Sequence, residues 1–146
     1  MSPVVRRAMR AVNALAVSLY RRSGGRIGGS AKGVDVLLLT VAGRRTGKPH
    51  TVPVAYLEHG DGYLVTGSGG GMRDEPQWFR NLRSADGAEV EIEIGRTRTP
   101  AVVHVSQDDE RDALWHDVVL ARAPFFAKYQ DKSGREIPVA TLVPTP

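Results

Sequence analysis

The stretch Val36-Leu-Leu-Leu-Thr-Val-Ala-Gly-Arg-Arg-Thr-Gly-Lys-Pro-His-Thr-Val-Pro-Val-Ala-Tyr-Leu57 decides the fold of this 146-residue chain. Two runs rich in Val and Leu flank a short polar loop, which reads as strand, turn and strand. The loop, Gly43-Arg44-Arg45-Thr46-Gly47-Lys48, carries two guanidiniums, a hydroxyl and an ammonium. Its glycines allow the tight turn, so the spacing predicts a hairpin with cationic groups at one end of a sheet. Arg presents a fixed fork of donors to phosphate or carboxylate. Arg44, Arg45 and Thr46 are therefore a candidate anion grip, although a solvated tip with surface charge fits the same residues.

Downstream, Glu58–Gly62 supplies a turn and Tyr63–Thr66 a third strand, hairpinned to the second. Gly67-Ser68-Gly69-Gly70-Gly71 then exposes successive backbone N–H groups, the kind of nest that binds phosphate. It leads into a helix over Asp74–Leu82, with Asp74 as cap, Gln77 at the box position and Pro76 in the first turn. A helix start adds its dipole to the attraction for an anion. Trp78 is expected to be at least partly buried in that helix.

Ala88–Ile94 alternates strictly, a half-buried strand with Val90, Ile92 and Ile94 inward. Arg98–Val105 reads as the next strand, kinked or at an edge at Pro100. Ser106, as cap, opens a helix reaching about Leu120, with Asp109 at the box position. Ala123–Tyr129 is aromatic, a candidate wall for a flat ligand, and Ile137–Val143 closes the chain as a strand. About six mainly antiparallel strands and three helices predict an α+β fold, a small barrel or strongly curved sheet with helices packed outside.

Upstream, residues 4–20 have the spacing of a helix, with Val5, Met9, Val12, Ala16 and Leu19 on one face. The apolar run is too short and too interrupted for a secretory signal or a bilayer span. No acidic residue precedes Asp35, while Arg6, Arg7, Arg10, Arg21, Arg22, Arg26 and Lys32 do. A basic amphipathic helix can lie on an anionic membrane surface or pack on the domain or a partner subunit. Residues 24–33 read as a flexible glycine-rich linker. The division expected is thus 1–33, helix and linker, and 34–146, the sheet domain.

The chain has no cysteine, which excludes disulfides, thiolate metal sites and a cysteine nucleophile. His50, His59, His104 and His116 lack metal-ligand spacing, so no metal site is expected. The net charge of +4 favours an anionic partner. Nucleic acid is not expected, because no recognition motif or aromatic platform accompanies the charge. What remains is a binding domain whose ligand carries the chemistry.

Leu-Leu-Thr-x-x-Gly-Arg-Arg-Thr-Gly-x-Pro with a following Val-Pro, then Gly-Ser-x-Gly-Gly, then Pro-x-Trp-x-x-Asn-Leu, resembles the deazaflavin-dependent nitroreductases. The resemblance extends to the N-terminal Leu-Tyr-Arg-Arg-x-Gly-Gly-Arg and the C-terminal Arg-x-Ile-Pro. It implies a split β-barrel that uses the deazaflavin coenzyme F-420. By that resemblance Arg44, Arg45 and Thr46 would grip the phosphate and acidic tail. His50, Thr51, Val52, Pro53, Val54 and Ala55 would run beside the deazaflavin. Thr66, Gly67, Ser68 and Gly69 would supply backbone donors. Gln77, Trp78, Phe79, Arg80 and Asn81 would complete the pocket, with Phe126 against it. Tyrosines that line the substrate side in nitroimidazole-reducing members correspond to Ala123, Phe126 and Tyr129, so Tyr129 alone keeps a hydroxyl and is the candidate catalytic proton donor. Gly69 stands where those members carry lysine, and His50 where they carry arginine.

The activity implied is hydride transfer from reduced F-420 to a small-molecule electron acceptor such as a quinone or nitro compound. FMN in the same barrel, or a non-catalytic F-420 carrier, are the alternatives. The expected location is cytoplasmic, with residues 4–20 able to hold the protein at the inner face of the cell membrane. A monomer and a homodimer are both compatible with the sequence.

Overall fold

The computed structural model describes residues 2–145. Its centre is the stretch quoted above: β2 (Val34–Ala42) and β3 (Pro49–His59) pair antiparallel from Val36↔Ala55 to Ala42↔Pro49. β4 (Gly62–Thr66) folds back on the far half of β3. β7 (Val139–Pro144), β6 (Thr97–Val105) and β5 (Glu89–Ile94) continue the sheet in that order. β5 then pairs with β2 through Leu38↔Glu93, Leu39↔Ile92 and Thr40↔Glu91, closing six antiparallel strands into a barrel. A two-residue β1 (Ser30–Ala31) adds to the outer end of β2.

Period-two geometry explains the unbroken apolar run of β2. Leu37, Leu39 and Val41 point into the barrel with Val54, Tyr56, Ile92 and Val103. Val36 and Leu38 point outward and are covered by Val17 and Tyr20 of α1 (Pro3–Ser23). α2 (Gln77–Ser84) adds the fully buried Phe79 and Leu82 to the barrel core. A second core lies outside the wall. Leu57, Leu64, Ile137 and Val139 meet Trp115 and Val119, with Phe126 of α5 (Phe126–Ser133). Trp115 belongs to an irregular helical run, α3 (Asp108–Leu114), a π-helical stretch Trp115–Val119 and α4 (Leu120–Arg122).

α1 is fastened at one end only. The Tyr20 hydroxyl has the carbonyls of Val36 and Glu93 within reach of its one hydrogen, at 3.1 and 3.3 Å, and accepts from the Gly95 amide at 2.9 Å. Burial raises its pKa, and the Gly95 bond opposes that shift. Arg21 and Arg98 pair with the Glu93 carboxylate, which is only 5% exposed. Residues 3–12 touch nothing that buries them, and Val4, Val5, Met9, Val12, Leu15 and Leu19 are exposed.

Several local expectations are corrected. The apolar face read for residues 4–20 is not the face that packs on the barrel; Val17 and Tyr20 are. The 24–33 stretch is no free linker, since Gly24 caps α1, Val36 donates to the Gly29 carbonyl and β1 is paired. Asp74 does not cap α2, whose first residue is Gln77 after Pro76, without a side-chain cap. Ser106 does not cap α3 either; Gln107 occupies that position, and the Ser106 hydroxyl is buried without a partner. The aromatic segment 123–129, for which no helix is expected from the sequence, runs into the helix α5. β6 is no edge strand, and Pro100 is tolerated because it falls just beyond the last β6–β7 pair, Ala101↔Pro144.

Candidate active site

The barrel is split along β3. Residues 49–55 of β3 pair with β2 on one side, but β4 reaches only Tyr56 to His59 on the other. Among the described residues the backbone edge of 49–55 towards β4 therefore has no ladder, and Pro49 and Pro53 stand where an edge tolerates proline. Where β4 leaves β3, at Thr66, the chain enters Gly67–Gly71. Antiparallel direction puts that loop, the Gly43–Lys48 tip and the entry to α2 at one end of the barrel. An unpaired strand edge thus lies between two loops that sequence reasoning had picked out separately.

Alternation sorts the β3 residues. Val52, Val54 and Tyr56 pack in the barrel core, so the first two offer the groove only their backbone. Thr51, Pro53 and Ala55 project outward; Ala55 packs against the outer core with Tyr129 and Phe126. His50 is exposed. The Thr51 hydroxyl shares a hydrogen bond with Thr40 at 2.7 Å. Thr51 also lines an open surface groove of about 530 Å³ with Ala14, Val17, Ser18, Arg21 and Arg22 of α1.

The hairpin tip is locked to α2. The Arg44 amide and its Nη1 both donate to Asn81 Oδ1, at 3.1 and 2.8 Å, and Nη2 donates to Gln77 Oε1 at 2.8 Å. Arg44, Gln77 and Asn81 are thereby brought together as one unit. Arg45 and Thr46 are exposed, and among the described residues Arg45 forms no ion pair. Phe79 is spent on the core, while Trp78, in edge contact with it, and Arg80 stay half-buried.

The Gly67–Gly71 loop is held from behind. A Cβ at Gly67 would lie 2.7 Å from Pro138 Cγ and 2.9 Å from Phe79 Cγ, so the backbone packs flush on both. Gly69, Gly70 and Gly71 have φ of +54°, +67° and +91°, a left-handed run that Cβ-bearing residues resist. Thr66 and Ser68 are buried, with their hydroxyls 3.5 Å apart. Arg135, which sequence reasoning did not single out, donates to the carbonyls of Met72 (3.1 Å), Gly67 (2.9 Å) and Ser68 (3.3 Å). Burial lowers its pKa. The Gly67 amide, expected to be a ligand donor, is instead spent on the Pro138 carbonyl and the Gly71 amide on that of Ser68, while Gly69 and Gly70 are exposed. The only advance sign was Arg135 in the Arg-x-Ile-Pro match.

Comparison with known proteins decides what this arrangement belongs to. A family model described as F-420H(2)-dependent quinone reductase matches residues 12–144. The chain belongs to that family. It is 34% identical over 128 residues to an F-420H(2)-dependent quinone reductase of Mycobacterium tuberculosis, covering 86% of this chain and 85% of that one. A solved F-420-H2-dependent reductase (FDR-A) superposes with a TM-score of 0.62 at 28% identity, over 73% of this chain and 92% of its own. A second structure, described as a domain-swapped dimer, gives 0.63 at 27% identity, over 86% and 98%. The FDR-A structure has the split-barrel fold, which this chain's closed six-stranded barrel shares. Among the described residues no helix is long and apolar enough to cross a membrane.

Proposed function

We propose that this quinone-reductase family member binds F-420 along the open edge of β3 and passes a hydride from its reduced form to a quinone-type acceptor. One observation carries the reading. An unpaired strand edge lies between a cationic hairpin tip and a glycine loop whose carbonyls are turned away by Arg135. The donor set fits the group: free backbone at 49–55 for a ring edge, exposed N–H groups at Gly69 and Gly70, and the unpaired Arg45 for an acidic tail.

The coenzyme, when bound, supplies the hydride. The chain's own residues do the rest. Arg44 fixes the tip through Asn81 and Gln77, and Arg45 and Thr46 take the anionic side. Thr51, Pro53 and Ala55 form the outward wall, with Thr66, Gly67, Ser68 and Gly69 opposite. Trp78 and Arg80 narrow the groove and exclude water, while Phe126 backs its outer wall from within the outer core on which Ala55 packs. Tyr129 gives the proton that balances the hydride.

We further infer that α1 lies on an anionic membrane surface and brings the groove to lipid-soluble quinones. Its exposed apolar residues and the absence of acid before Asp35 support this. The test of turnover is anaerobic decay of reduced F-420 absorbance with menadione, a nitroimidazole and no acceptor. Menadione-dependent decay is the expected result; decay with none of the acceptors leaves a carrier.

A further inference from the structure

The β1–β2 hairpin turns on Lys32 and Gly33, with φ of +52° and +79°. Lysine is strained in that region, as any residue with a Cβ is. The turn sets the Lys32 ammonium on α5. Its Nζ donates a hydrogen bond to the Tyr129 hydroxyl. It also lies 4.7 Å from the Tyr129 ring centroid and 5.4 Å from that of Phe125, within cation–π range. Among the described residues Lys32 pairs with no carboxylate. The ammonium is thus committed to one phenol and two rings.

Tyr129 stands beside the groove. Its ring and Ala55 of β3 both pack against the outer core that holds Trp115 and Phe126, and the ring meets Phe126 edge-on at 5.7 Å. Its carbonyl lies 3.3 Å from where a Cβ on Gly71 would be. α5 therefore spans from the glycine loop to the Lys32 turn, with the phenol on the Lys32 side.

We propose that Lys32 is a positioning residue for Tyr129, an inference that rests on the reading of Tyr129 as proton donor. An ammonium only donates, so its bond uses a lone pair of the phenol oxygen and leaves the phenol hydrogen free for another partner. That partner is a carbonyl oxygen of the quinone. The quinone gains two electrons and one proton as the hydride of the reduced deazaflavin. The Tyr129 O–H bond breaks to give the second proton, and its electron pair stays on Tyr129 as a phenolate beside the ammonium. Water returns the proton afterwards.

The experiment uses the full chain carrying tyrosine labelled with 13C at Cζ, with Lys32→Met, Lys32→Arg, Tyr129→Phe and the Met/Phe double variant. Tyr129→Phe assigns the resonance. Without cofactor, Lys32→Met should move the Tyr129 signal and Lys32→Arg should keep it near its original place. Loaded with F-420, Lys32→Met should lose at least tenfold in kcat with the Kd for F-420 within twofold of the unmodified chain, and Lys32→Arg should recover most of it. The double variant should be no slower than Tyr129→Phe alone. An unmoved resonance, a kcat within twofold, or losses that multiply in the double variant would overturn the proposal. A wild-type chain that reduces no quinone overturns the proposed function and this role together. That case is recognised because the cofactor-free resonance still responds to Lys32→Met.

Discussion

Asn81 Oδ1 accepts two hydrogen bonds from Arg44, one from the backbone amide and one from Nη1. A buried side chain on α2 thereby pins the tip of the β2–β3 hairpin, and the guanidinium expected to hold a ligand is already held by the protein. The two arginines of the tip divide the work: Arg44 shapes the loop and Arg45 is free to bind.

That division predicts opposite phenotypes. Asn81→Ala should lower stability by about 1–3 kcal/mol, since it strands the donors of Arg44. Arg45→Ala should change stability by no more than ~0.5 kcal/mol but weaken F-420 binding about tenfold and flatten its salt dependence. Urea unfolding and fluorescence titration on both variants check this. Loss of stability in Arg45→Ala with unchanged binding would reverse the assignment.

Arg135→Ala should release the carbonyls of Gly67, Ser68 and Met72 together. Amide hydrogen exchange over residues 67–72 should accelerate, with F-420 affinity falling while the barrel strands keep their protection. Arg135→Lys should rescue only partly, because an ammonium lacks the planar fork that reaches separate acceptors.

Burial pushes the Tyr56 phenol up to about 12. Its folded value stands above the ordinary value near 10, so the folded state holds its proton longer than the unfolded state does. The stability this contributes is complete below about pH 10 and is lost as pH rises towards about 12. Tyr56→Phe should flatten that alkaline limb in chemical denaturation measured across the window. An unchanged slope would show that Tyr56 does not carry it.

Removing residues 2–12 should leave the melting temperature almost unchanged, since none of them is buried. The same deletion should abolish cosedimentation with vesicles containing anionic lipid. Vesicle binding that survives the deletion would place the contact elsewhere, and no binding by the full chain would dismiss the membrane reading.

The barrel was legible because β2 and β3 are short Val- and Leu-rich segments flanking a glycine-bounded turn, and β5 alternates strictly at 89–94. The two loops proposed to face an anion stood out for a related reason, since glycine clusters and paired arginines are local chemistry. What stayed hidden was long-range. Nothing local says that Arg44 will spend its guanidinium on Asn81, that Arg135 will reach back across the chain to Gly67, or that Lys32 will meet Tyr129. Caps were misread where a good local candidate, Asp74 or Ser106, lost to the path of the chain. Glu93 alternated to the barrel wall under α1, where Arg21 and Arg98 neutralise it, so periodicity placed it without revealing its partners.

The most direct test of the central claim is a fluorescence titration of the purified chain with oxidised F-420, run beside FMN. The account predicts saturable, salt-sensitive binding of F-420, weakened by Arg45→Ala, with FMN failing to compete. Preference for FMN, or saturation by neither, would contradict it.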